Sequence, residues 1–242
     1  MNLVILEPGE SGDGSDTRLS GARAEHLINV LHAEPGAQVR VGILNGPRGV
    51  GTVRSIDGRT VTLRCTFEPA LPPRPRVDVL LALPRPKVLR RLWAQLAAMG
   101  VGQIILTNAE RVERNYFDTH ILAPESYRPY LIEGLQQARD TWLPAVTVHR
   151  QFKVLVEDDL DSLFPSGRRL VADPSGKEKP RAERSGRVLL AVGPEGGWND
   201  FELNLLEAHG FTRIGMGART LRTDTACIAL LALVHDALDS IK

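Results

Sequence analysis

Cysteine is scarce in this chain, with only Cys65 and Cys227 among 242 residues. Neither belongs to a Cys/His pattern with zinc spacing, so a structural zinc site is not expected. Cys65 falls in a strand-like alternation and Cys227 in an apolar helical run, both of which suit buried, inert thiols. Long apolar runs are absent too. The longest covers residues 226–234, far short of the roughly 20 residues a membrane span needs. Residues 1–10 have no basic start followed by an apolar core, so no signal peptide is expected. Charge of one sign is also missing: the formal net charge is +1. That argues against a wholly basic nucleic-acid binder but leaves room for a local basic surface. The six histidines are scattered through the chain, which gives no expectation of a metal. No internal repeat is evident. Together these absences point to a globular protein of a reducing, cytoplasmic compartment.

What is present divides the chain. Residues 1–68 are expected to form a small β-domain with one helix. Residues 3–6 form a short strand, and Ser20 is placed to cap a helix over 21–32 with Ala24, Leu27, Ile28 and Leu31 on one face. Pro35-Gly36 breaks the chain. Val39, Val41 and Ile43 alternate with polar or small residues, and 50–55 reads as another strand. Asp57-Gly58 marks a hairpin before alternating Val61, Leu63, Cys65 and Phe67. Short strands closed by tight turns suggest a small barrel. Residues 69–76 carry Pro69, Pro72, Pro73 and Pro75 and form the expected linker.

Residues 77–242 follow a strand–helix–strand rhythm that implies α/β architecture with a parallel sheet. Strands are expected near 77–83, 103–106, 146–149, 170–172 and 188–192 and at Ile214. Helices are expected near 87–99 and 127–139, from Asn199 to Gly210, and from Thr223 to Leu238. The Asn199–Glu202 spacing is that of a capping box. Residues 177–186 read as a polar loop.

Two segments carry candidate chemistry. The first is Gly193-Pro194-Glu195-Gly196-Gly197-Trp198, between a strand and a capped helix. Ligands in open α/β sheets bind beyond the carboxyl ends of strands, and glycines let them approach the backbone. The spacing is neither that of a phosphate-cradling loop nor that of a dinucleotide fingerprint. The second segment is Met216-Gly217-Ala218-Arg219-Thr220-Leu221-Arg222-Thr223-Asp224-Thr225-Ala226, which opens the last helix. Thr223 or Thr225 can cap that helix, and Asp224 suits its positive end. Arg219 and Arg222 are not needed for capping and are candidate anchors for an anion or RNA.

The pairing of Gly193-Pro194-Glu195-Gly196-Gly197 with Leu221-Arg222-Thr223-Asp224-Thr225-Ala226 resembles the RsmE family. Members of that family methylate N3 of a uridine in small-subunit ribosomal RNA and belong to the SPOUT superfamily of knotted methyltransferases. The resemblance runs nearly end to end. It includes Glu25-His26-Leu27, Pro35-Gly36, Leu83-Pro84, Gly100-Val101, residues 107–111 and the Gln136/Arg139 pair.

The resemblance implies a PUA-like RNA-binding barrel followed by a SPOUT-type α/β domain with a C-terminal trefoil knot. It implies S-adenosyl-L-methionine as cofactor, held by Gly193, Gly196, Gly197, Met216, Gly217, Leu221 and Thr225. It also implies a homodimer acting on ribosomal RNA, with a small-subunit particle as the expected setting. Arg222 is expected to stabilise an anionic base, with Glu195 or Asp224 assisting proton removal. RNA contact is expected from Arg23, Arg40, Arg85, Lys87, Arg111, Arg139 and Arg219. Gln95 and Ala98 stand where the family usually has lysine and glutamate, and Ile132 where it often has glutamate; these departures bear on the RNA target. A transfer RNA or another ribosomal site, or an inactive RNA-binding relative, are the competing readings.

Overall fold

The structure is a computed structural model that describes residues 2–180, 186–217 and 219–239. Residues 181–185 of the expected polar loop and Ala218 of the second candidate segment lie outside the described residues. The chain divides into two compact units. One comprises Met1–Arg74 and Ile132–Leu143, the other Pro75–Leu131 and Pro144–Lys242.

The first unit holds β1 (Val4–Leu6), β2 (Asp16–Leu19), α1 (Gly21–Asn29), β3 (Gln38–Ile43), β4 (Arg48–Asp57) and β5 (Thr60–Phe67). Its sheet order is β1-β3-β4-β5-β2, with β1 parallel to β3 and the other pairings antiparallel. The alternating residues of β5 explain the core: Val61, Leu63 and Cys65 point inward beside Leu6, Leu19, Ala24, Leu27, Val41 and Val53. The observed pairing leaves β1 and β2 as edges, so hydrogen bonding alone describes an open five-stranded sheet. Ser20 precedes α1 in extended conformation, but its side chain makes no capping hydrogen bond.

Residues 132–143 join this unit through polar contacts that hydrophobic periodicity does not register. The Thr141 hydroxyl donates to the Gly46 carbonyl at 2.7 Å, and the Leu143 N–H donates to Asn45 Oδ1 at 2.9 Å. Trp142 Nε1 donates to the Pro72 carbonyl at 2.9 Å.

The second unit is built on six parallel strands: β6 (Val77–Ala82), β7 (Val101–Thr107), β8 (Ala145–His149), β9 (Arg168–Ala172), β10 (Val188–Val192) and β11 (Phe211–Ile214). Their order is β11-β9-β10-β6-β7-β8. The strands β6 and β10 lie at the centre and are wholly buried, as parallel strands covered on both faces require, and apart from Asp78 of β6 their residues are apolar. The helices are α2 (Pro86–Ala98), α3 (Pro124–Ala138, whose residues from Ile132 onward belong to the first unit), α4 (Phe152–Val154), α5 (Leu160–Leu163), α6 (Asp200–Ala208) and α7 (Thr223–Asp239). A π-helical stretch, Leu155–Asp159, joins α4 to α5. The capping box on α6 forms in full: Asn199 Oδ1 accepts from the Glu202 N–H, and Glu202 Oε2 accepts from the Asn199 N–H, each at 2.8 Å. Strands β6, β7 and β8 follow in chain order on one side of the β6–β10 boundary, while on the other side β10 lies inside β9, with β11 at the edge.

Candidate functional site

Three loops at the carboxyl ends of β9, β10 and β11 surround one cleft. Ala172, Asp173 and Pro174 come from the first. The second supplies Gly193, Pro194, Glu195, Gly197 and Trp198, and the third Ile214, Gly215, Met216, Gly217, Arg219, Thr220 and Leu221; Thr223, Ala226 and Leu230 of α7 close the wall. The cleft encloses about 680 Å³ of space, including open solvent at its mouth.

The local sequence explains the loop shapes. Gly197 adopts φ +72° as its N–H turns back to the Pro194 carbonyl at 2.8 Å. Gly217 adopts φ +109°, a conformation that glycine takes without a Cβ clash. The loop after β10 is tied down on its far side: Glu202 accepts from the Glu110 N–H at 2.7 Å as well as from its own cap. Arg111 donates through Nη1 to the Gly196 carbonyl. Trp198 is 5% exposed and packs against Phe152, with ring centroids 5.4 Å apart.

A second, charged recess shares Glu195 and Thr223 with the cleft. Its other lining residues are Arg85, Val88, Arg222 and Asp224. Glu195 Oε1 accepts from the Arg85 backbone N–H at 3.2 Å. Asp224 Oδ2 accepts from Arg91 Nη2 at 2.7 Å, and Oδ1 accepts from the Thr225 N–H at 3.0 Å. The Arg91 hydrogen bond, opposed by partial burial and aided by the Thr225 N–H and Arg222, holds the Asp224 carboxyl below its ordinary value of 3.8. Arg222 Nε stands 3.7 Å from Asp224 Oδ1, and its side chain is 74% exposed.

The candidate residues from sequence fall into groups. Gly193, Gly197, Met216, Gly217 and Leu221 line the cleft. Gly196 and Thr225 are not among its lining residues: Gly196 lies against Arg111, while Thr223 rather than Thr225 turns inward. Glu195, Arg222 and Asp224 come together in the recess. Arg219 lines the cleft, Arg85 lines the recess, Arg111 reaches the Gly196 carbonyl, and Lys87 is exposed on the same unit. Arg23, Arg40 and Arg139 belong to the first unit. Arg40 and Arg139 are exposed there. Arg23 is committed to a two-pronged pair with Glu10, both contacts at 2.7 Å, and to the Ile5 carbonyl at 3.1 Å. Sequence reading missed Asp173 and Pro174, which carry no glycine-rich signature, and gave Trp198 no role in the wall.

A parallel sheet whose glycine-bearing loops converge over one cleft defines an α/β protein built to hold a small molecule against its backbone. The comparisons narrow that class. The sequence profile of the RNA methyltransferase domain matches residues 72–235. The chain is 32% identical to the ribosomal RNA small subunit methyltransferase E of Treponema pallidum over 97% of this chain and 90% of that one. It is 27% identical to ribosomal RNA small subunit methyltransferase E 1 of Borreliella burgdorferi, over 95% of each. Among solved structures, the fold is similar to that of a ribosomal RNA small subunit methyltransferase E from Neisseria gonorrhoeae bound to S-adenosyl methionine. That match has a TM-score of 0.78 at 20% identity and covers 98% of this chain and 97% of the other. The chain belongs to the ribosomal RNA small subunit methyltransferase E family.

Proposed function

We propose that the protein transfers the methyl group of S-adenosylmethionine to N3 of a uridine in small-subunit ribosomal RNA. The observation that carries this reading is the shared wall: the glycine-lined cleft and the charged recess meet at Glu195 and Thr223, so a donor in one faces an acceptor in the other. The cleft fits the cofactor. Gly193, Gly197, Gly215 and Gly217 leave backbone exposed to a bent ligand, Met216, Leu221 and Leu230 supply apolar wall, and Asp173 and Glu195 supply carboxylates.

When bound, S-adenosylmethionine supplies an electrophilic methyl carbon on a sulfonium sulfur. The residues of the recess do the rest. Uridine N3 carries a proton that must leave before its lone pair can form the N–C bond while the C–S bond breaks. Glu195 takes that proton. Asp224 is the poorer base, since its carboxyl is held below the ordinary range and is already hydrogen-bonded to Arg91 and the Thr225 N–H. Arg222 stabilises the negative charge spread over the base, as preorganised cations do for developing oxyanions. Holding both reactants in line supplies much of the acceleration.

The first unit serves in this reading as a PUA-like, barrel-type RNA-binding domain, with Arg40 and Arg139 as phosphate contacts. Arg85, Lys87, Arg111 and Arg219 serve the same purpose on the second unit, where Gly196 and Thr225 take supporting places beside the cofactor loops. Within 77–242 the chain forms a trefoil knot. The close run of residues 173–178 along the end of β11 supports it: the Gly215 N–H donates to the Glu178 carbonyl at 3.0 Å, and the Asp173 N–H to the Ile214 carbonyl at 3.0 Å. The active form is a homodimer that works in the cytoplasm on a small-subunit particle.

Mass spectrometry of nucleosides from ribosomal RNA of a deletion strain, before and after treatment with purified protein and S-adenosylmethionine, tests the reading. Loss and in vitro restoration of 3-methyluridine in small-subunit RNA is the expected result. Restoration of another methylated nucleoside, or of one in transfer RNA, would replace it.

A further inference from the structure

Arg85, Val88 and Arg91 recur every three residues from the start of α2, which sets them along one side of the helix. The first two line the charged recess, and the third reaches Asp224 at its edge. One carboxylate therefore stands between two guanidiniums. Arg91 is at hydrogen-bond distance, 2.7 Å, while Arg222 stays at 3.7 Å, outside it. The trio carries a net charge of +1, and the unmatched charge is that of the more exposed arginine: Arg222 is 74% exposed and Arg91 54%.

We propose that Arg91 is a positioning residue: by saturating Asp224 it prevents Arg222 from folding down onto that carboxylate and leaves the Arg222 guanidinium available to the anionic base. The inference rests on the methyl-transfer reading above. Its physical core is a competition. Asp224 is only 17% exposed, so an ionised carboxylate there must find a cationic partner or forfeit solvation. With Arg91 present it has one. Without Arg91, Arg222 is the charged neighbour at hand, and an arginine–carboxylate pair is a strong, geometrically exacting contact. Arg222 would be claimed and turned from the recess, and the net charge of the site would fall to zero. The low proton affinity of Asp224, whose largest cause is the Arg91 hydrogen bond, agrees with this order of partners.

The test is a rescue. Arg91→Met should lower kcat about 100-fold, the scale of a misplaced catalytic group, while KM for RNA and calorimetric affinity for S-adenosylmethionine stay unchanged. Adding Asp224→Asn to Arg91→Met should recover most of that kcat, because a neutral amide no longer draws Arg222 away. Arg91→Lys should keep most activity. A double variant no better than the single one overturns the proposal, since Arg91 would then serve only the packing of α2 against α7. A second readout needs no turnover. The Nε–H resonance of Arg222, assigned by its loss in Arg222→Lys, should exchange rapidly with solvent in the native protein. It should be protected in Arg91→Met and exchange rapidly again in the double variant; an unchanged resonance in Arg91→Met also overturns the proposal. If the native protein transfers no methyl group to ribosomal RNA, the methyl-transfer reading falls, and this resonance still decides whether Arg91 holds Arg222 and Asp224 apart.

Discussion

At the amino end of the parallel sheet, Asp78 of β6 meets Arg187, which precedes β10. At the carboxyl end, Asp224 of α7 meets Arg91 of α2 and, less closely, Arg222. The residue types match and the settings differ. Asp78 is 0% exposed. Burial is the dominant influence there, and it outweighs the attraction and hydrogen bond of Arg187 to push the Asp78 carboxyl above 3.8. At Asp224 the hydrogen bond from Arg91 dominates and the carboxyl is pushed below 3.8. The amino end thus spends stability to bury a charge and keeps nothing spare. The carboxyl end keeps a well-solvated cation beyond its ion pair. Only the second arrangement can meet an incoming charge without first breaking a bond.

The strongest way to break this comparison is to remove the spare cation. Arg222→Ala should reduce kcat by about 10²- to 10³-fold, the usual cost of a preorganised charge-stabilising donor. Calorimetric affinity for S-adenosylmethionine and the melting temperature should not move, because Arg222 is the exposed member of its trio. Full turnover in this variant would take Arg222 out of the catalytic scheme. The matching change at the other end should behave oppositely. Arg187→Ala leaves the buried Asp78 without its cation and should cost about 3 kcal/mol at pH 7 by chemical denaturation, with kcat retained once the protein is folded. That cost should shrink in acid, where a protonated Asp78 no longer needs a cation.

A smaller effect tests what holds the carboxyl-end loops in place. The loop of residues 193–198 runs directly into the α6 capping box. Asn199→Ala should remove one half of that box and cost about 1 kcal/mol of stability. Glu202 keeps its bond to the Glu110 N–H, so the loop should survive and affinity for S-adenosylmethionine should fall less than in a variant of the loop itself. Equal losses would mean that the cap, rather than the glycines, defines the cleft.

These two ends were not equally legible in the sequence. Apolar runs and glycine breaks gave five of the six parallel strands and α2, α6 and α7 close to their observed limits, and marked β11 (Phe211–Ile214) only at Ile214, because buried parallel strands and amphipathic helices leave a periodic trace. The two glycine-bearing segments stood out for the same local reason. Five features did not. The stretch from Phe152 to Leu163 is helical with a π-helical middle, and its mixed acidic and apolar residues show no clean period. Strand β2 is only four residues long and partly exposed. Residues 132–143 belong with the first unit through side-chain and carbonyl hydrogen bonds between positions about 95 apart in sequence, which no window along the chain can see. The pairing of Arg91 with Asp224 spans 133 positions. The commitment of Arg23 to Glu10, 13 positions away, depends on how the loop between β1 and β2 lies against α1, and an arginine that reads as an RNA contact in sequence is one whose fork is already filled.

The finest distinction between the two ends is reached through Asp78 alone. A carboxyl whose folded pKa is raised holds its proton more tightly in the folded chain than in the unfolded one. Stability therefore falls as pH rises from 3.8 through the raised value. Asp78→Asn removes the charge, keeps an oxygen that can accept from Arg187, and leaves an arginine that is 44% exposed and can still be hydrated. The variant should gain up to about 1 kcal/mol at pH 7, a size consistent with the small net worth of such pairs. The gain should fade as pH is lowered toward 3.8, where the native aspartate is itself neutral. Asp224 has the opposite sign: its lowered pKa lends stability that is present above 3.8 and lost as pH falls through the folded value. Asp224→Asn should accordingly lose stability at pH 7, by an amount that vanishes in acid. Parallel denaturation curves for the two variants across pH 3 to 7 would separate the ends by the direction of their slopes, and slopes of the same sign would remove the contrast between a buried pair and a poised one.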